Sequence, residues 1–306
     1  MNKGSKRLLG SRRARLVLAM ALAAPLAALA LASPALATPK GIFSVFSDCP
    51  KEAPGVSLCT FAQTKSGEFT IGKTTVPINK TITLQGGAVW TGNEENHKEY
   101  FLIPAKDGNS LSKTELNVPG GLLNLVNCTE IKGEGLFEKL ERGSCKAIFE
   151  NGTTGVTATT ELVANTKNPA ILNLVALSQE EGTALTLPVR VHLKNPLLGE
   201  GCYIGSESTP IQLHLTTGKS GTLHGSRGSA ETLEEFEQLM LRLFNNKLVE
   251  NTFSAPVAEG CGGFFSFLID PILDAKIGLP SASGKNKVIM EGELKAATPE
   301  AIEASE

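Results

Sequence analysis

Gly67 to Thr74 reads GEFTIGKT, a complete G-x-x-x-x-G-K-[ST] spacing. In nucleotide hydrolases that spacing wraps flexible backbone around phosphates and points a lysine at them. It works only where a buried strand precedes the loop and a helix follows it. Here Glu68, Phe69, Thr70 and Ile71 alternate as a strand does, and Glu68 would repel phosphate. Pro77 and its β-branched neighbours oppose a helix after Thr74. The expectation is a strand and a turn, with no nucleotide and no cofactor bound.

Three histidines make the next constellation. His192 alternates with Val189, Val191 and Leu193 in PVRVHL, His214 alternates with Ile211, Leu213 and Leu215 in IQLHL, and His224 follows in TLHGS. If those strands paired side by side, His192, His214 and His224 could converge on zinc or copper. No acidic residue stands at a telling spacing, so the expectation is solvated faces and no metal. GKSGT, GSRGS and GVSLC each fall short of the G-x-S-x-G nucleophile turn. A secreted hydrolase with a carboxylate pair remains the alternative function, because such pairs leave no short signature. GGFFSFLIDPIL is expected to be core. Were it exposed, Phe264, Phe265 and Phe267 would centre an apolar surface for lipid or a partner.

The cysteines speak to compartment. Cys49, Cys59, Cys128, Cys145, Cys202 and Cys261 form an even set without any C-x-x-C pair. That favours disulfides over a zinc site, in the sequential pairing 49–59, 128–145 and 202–261. Export has a second source of support. Lys3, Lys6, Arg7, Arg12, Arg13 and Arg15 precede the apolar run Leu16–Ala32, and Ala35–Ala37 fits a cleavage site before Thr38. That order is a secretory signal over residues 1–37, too short in its apolar run for the roughly 20 residues of a spanning helix. Arg12-Arg13 leaves the twin-arginine route open beside the general one.

No apolar tail closes the chain, so no transmembrane segment is expected after signal removal. The first 37 residues hold six of the 29 basic residues and none of the 31 acidic ones, so the remainder carries a net −8. Nucleic acid finds no general attraction there.

The elements that must position these residues read as strands. EFTI, TTVPI, TITLQ, GVTATTELV, AILNLVAL, TALTLPVRVHL, IQLHLTT and KVIMEGEL are short, rich in threonine and valine, and broken by glycine and asparagine. One substantial helix is expected at about 232–248. Thr232 and Glu235 form a capping box, and Leu233, Phe236, Leu239, Met240, Leu243, Phe244 and Leu248 recur at helical spacing. A shorter helix is expected from Asp270 as cap, with Pro271 in its first turn and Gly278 as stop. GLFEKLER is a third candidate. A weak join near 151–169 would divide the 38–297 unit into two subdomains, and the acidic tail 298–306 reads as disordered.

CPKEAPGVSLC, CYIGSESTPIQLHLTTGKS and CGGFFSFLIDPILDAKIGLPSASGKNKVIM together resemble uncharacterised exported proteins of actinobacteria. The resemblance implies bacterial secretion and a disulfide-linked β fold, and it transfers no activity or site. The expected protein is therefore a mainly β antiparallel sandwich or open barrel, stapled by disulfides. Its expected role is exported and non-catalytic, binding or structural, with an envelope or extracellular ligand as partner.

Overall fold

The computed structural model of the chain describes residues 38–92, 99–121, 135–136, 138–140, 143 and 154–306. The expected signal segment, Cys128, Cys145 and their pairing lie outside these residues. Thr38–Glu306 forms one compact unit.

Among the described residues sixteen strands carry the unit. The first half holds β1 (Val56–Ile71), β2 (Thr74–Pro77), β3 (Ile82–Trp90), β4 (Glu99–Pro104), β5 (Leu116–Asn117), β6 (Thr157–Leu162), β7 (Ile171–Asn173) and β8 (Leu185–Lys194). The second holds β9 (Tyr203–Ile204), β10 (Ile211–Leu215), β11 (Lys219–Ser220), β12 (Leu223–His224), β13 (Ser229–Glu235), β14 (Gln238–Glu250), β15 (Ala258–Glu259) and β16 (Lys287–Ala297). Short helices accompany them, among them α1 (Leu174–Gln179), α2 (Ser266–Ile277) and α3 (Pro299–Ala304). Leu136 and Glu138–Leu140, inside the third expected helix, are also helical.

Among the described residues fourteen strands share one antiparallel sheet, running β13-β14-β16-β1-β3-β4-β7-β8-β6-β5, with β2 on β1, β9 and β10 on β8, and β15 on β9. The sheet rolls. Reciprocal backbone bonds between Thr216, just past β10, and Val249 of β14 bring distant parts of it together. No continuous ladder closes it into a barrel among the described residues. Its inner face is set by alternation: Leu185, Leu187, Val189, Val191 and Leu193 of β8 are all buried, as are Ile211, Leu213 and Leu215 of β10.

The segment expected to be a helix over 232–248 is instead the β13–β14 hairpin. Its turn residues Phe236 and Glu237 both have positive φ, +56° and +58°. That two-residue geometry normally recruits Asn-Gly or Gly-Gly, which is absent here. Each non-glycine residue in that region costs about 1 kcal/mol. The ladder from Leu241↔Ala296 to Glu250↔Val288 outweighs the cost. Met240 is buried beside Phe43 and Leu243 in the main core, while Leu239 and Leu241 stay exposed, so apolar residues at helical spacing are shared between the two faces of a strand. Glu235, assigned to a capping box, accepts the Ile42 N–H at 2.7 Å.

The tail is also corrected. Thr298 caps α3 by accepting the Ala301 N–H, and Ala301 and Ile302 are buried beside Phe43, Phe46 and Met240. Apolar residues in an acidic tail cover a second small core, and burial orders it.

Candidate functional site

The chain reaches α2 through a sharply bent loop. Cys261 is bonded to Cys202, with Cα atoms 4.1 Å apart. Gly262 has φ +81°, and a side chain there would run into Ile269. A 3-10 turn, Gly263–Phe265, then leads into the helix. The helix therefore starts four residues before Asp270, and Pro271 lies inside it rather than in its first turn. Asp270 caps something else: its carboxylate accepts the Cys261 N–H at 2.8 Å and the Gly260 N–H at 3.2 Å. One turn on, Asp274 accepts the Ala258 N–H at 2.8 Å. Burial pushes the Asp274 carboxyl above its ordinary value; the Ala258 bond opposes this, and the nearby Asp270 charge adds to it. Gly278, in the left-handed region, ends the helix as expected.

So held, α2 is apolar on both sides. Leu273 and Ile277 face the core, and Ile269 packs against it. Outside, Phe264 is 89 % exposed, Phe267 68 % and Phe265 59 %, with Leu268 and Ile272 also exposed. The expectation that this run is core holds for Leu273 and fails for the three phenylalanines, Leu268 and Ile272, because only the side of α2 that bears Leu273 and Ile277 meets the core. Leu197, in the loop after β8, stands 62 % exposed nearby. A groove of about 420 Å³ runs between Leu197 and Leu198 on one side and Phe265, Leu268, Ile269 and Ile272 on the other. Sequence reasoning missed Leu197. The available signal was two adjacent leucines in NPLLGEG, a turn segment where apolar residues have no strand or helix to serve.

The other expected constellations are dispersed. His214 lies opposite Thr186 on β8, six residues before His192 on the same strand. That spacing is about 20 Å, and His224 sits on the separate β11–β12 hairpin. No group of three potential metal ligands occurs among the described residues. His192 is buried rather than solvated. Its Nδ1 lies 3.4 Å from Glu161, and its ring stacks on Tyr203, which also carries the Arg190 guanidinium 4.3 Å away. At GEFTIGKT, strand β1 runs to Ile71, turns at Gly72-Lys73 and returns as β2. The Lys73 ammonium donates to the Ala275 carbonyl of α2.

Carboxylates line one polar cleft, with Glu291 and Glu293 beside Arg242 and Lys65. Burial pushes the Glu293 carboxyl up, but bonds from Lys65 and Arg242 outweigh it and hold the group below its ordinary value. Glu293 sits 2.8 Å from Lys65 and 2.7 Å from Arg242, an arrangement opposite to that of a general acid.

Comparison with protein-family models, with curated proteins and with solved structures finds no match.

Proposed function

We propose that this is an exported, non-catalytic binding protein of the cell envelope, and that the outer face of α2 docks it to the apolar part of lipid. One observation carries the reading: Phe264, Phe265, Phe267, Leu268 and Ile272 are exposed together on one short, braced element. Scattered surface apolar residues are ordinary, but a contiguous patch beside a groove is not. The bracing supports the reading as well. A disulfide, a glycine turn and two carboxylates bonded to the backbone hold the aromatic rings outward rather than letting them collapse inward. Export is supported by the charged, apolar and small-residue order of the first 37 residues and by disulfides in the compact unit that starts at Thr38. With the remainder at net −8, docking depends on apolar insertion and not on attraction to anionic headgroups.

Co-sedimentation of residues 38–306 with zwitterionic phospholipid vesicles tests this. The wild-type protein should pellet with vesicles, and a Phe264→Ser/Phe267→Ser variant of unchanged melting temperature should stay in the supernatant. Equal partition of the two proteins would overturn the reading.

A further inference from the structure

The core of the rolled sheet is not filled. Behind α2 lies an apolar void of about 70 Å³. It meets the outer groove at Leu273 and Lys276, which border both spaces. At its other side Phe69, Leu116 and Thr160 separate it from a second void of about 30 Å³. Ile82, Leu111, Leu187 and Met290 in turn border both the second void and a third, of about 60 Å³. The four spaces form a file from the surface groove to the far end of the sheet. No charged side chain borders the middle space; the far one is lined chiefly by leucines but also reaches Gln63, Thr64, Asn246 and Glu293, the last already held by Lys65 and Arg242.

We propose that this file binds one aliphatic chain of an amphiphile, which enters from the α2 groove past Leu273 and leaves its polar head outside. A void lined by apolar side chains stays dry, and its lining forfeits dispersion contacts until something apolar fills it. The shape selects the ligand. Each space is too small for a ring system, and each is parted from the next by a few shared side chains. A thin, flexible chain is the apolar group that threads such a series. The inference rests on the apolar-binding reading for its entrance only, since the groove is shared while the further spaces are lined by other residues.

The test is calorimetric titration of residues 38–306 with monomeric fatty acids from octanoate to palmitate. Affinity should rise by about fourfold per added methylene while the chain advances through successive voids. Thr160 borders the first and second spaces, so Thr160→Phe should abolish the gain from octanoate to palmitate. Phe264→Ser/Phe267→Ser should lose vesicle binding and keep palmitate binding, which separates the inference from the docking reading. No palmitate binding, or affinity independent of chain length in the wild-type protein, would overturn the proposal even if Thr160→Phe does not fold. A Thr160→Phe variant of native melting temperature that keeps the full gain would overturn it too.

Discussion

The Asn286 side chain accepts the Gly72 N–H at 2.9 Å and donates to the Phe253 carbonyl, also at 2.9 Å. It is 1 % exposed, and its amide also reaches the Ser281 and Ala282 carbonyls. One buried amide thus ties the turn of GEFTIGKT to two other loops. That turn carries a left-handed glycine and an ordered Lys73, with a strand following it where a phosphate site needs a helix.

Asn286→Ala should therefore be costly. It strands several backbone groups, at about 1–3 kcal/mol for each one left unsatisfied. Lys73→Ala, by contrast, removes an exposed bond worth about 1 kcal/mol or less. Denaturant unfolding of the two variants should rank them in that order, and equal midpoints would refute the assigned role of Asn286.

Acid should find the Glu293 network early. Its folded value lies below the ordinary 4.5, so the unfolded chain takes up its proton first as pH falls. The stability it contributes is complete above about 4.5 and is lost as pH drops through the folded value. Glu293→Gln should flatten that part of a melting-temperature profile. A profile parallel to the wild type below pH 4.5 would count against the network.

Asp274 should behave in the opposite sense. Its folded value is raised above the ordinary 3.8, so its contribution is complete below that pH and is lost as pH rises through the folded value. Asp274→Asn keeps an acceptor for the Ala258 N–H and removes a partly buried charge beside Asp270, and should match or exceed wild-type stability at neutral pH. Asp274→Ala should be less stable by about 1–3 kcal/mol, since the Ala258 N–H loses its partner. Thermal melts of the pair at neutral pH decide the matter, and an asparagine variant weaker than the alanine one would contradict it.

The two disulfides among the described residues close loops of different length, with sequence separations of 10 for Cys49–Cys59 and 59 for Cys202–Cys261. In the chain-entropy model they stabilise by about 2.7 and about 4 kcal/mol. Cys202→Ala/Cys261→Ala should accordingly lower the denaturant midpoint more than Cys49→Ala/Cys59→Ala. The reverse order would show that the loop leading into α2 contributes less than its length implies.

Period-two patterning on both β8 and β10 was legible because each presents one apolar face, so the alternation survives in the residues themselves. The Cys49–Cys59 and Cys202–Cys261 pairings, the turn at Gly72 and the stop at Gly278 were legible for a similar reason: each depends on neighbours in the chain or on a single covalent partner. Three outcomes were decided only by tertiary contact. Residues 232–248 carry helical spacing and a capping box, yet the β16 ladder makes them a hairpin. Ala301 and Ile302 order an acidic tail because Phe43 and Phe46 stand ready to be covered. Phe264, Phe265 and Phe267 have the composition of a core, and whether they face one depends on how much sheet reaches across α2. Local sequence sets a side chain's propensity and the face it shares with its neighbours. Which surface meets that face is a long-range contact, and no short window of residues contains it.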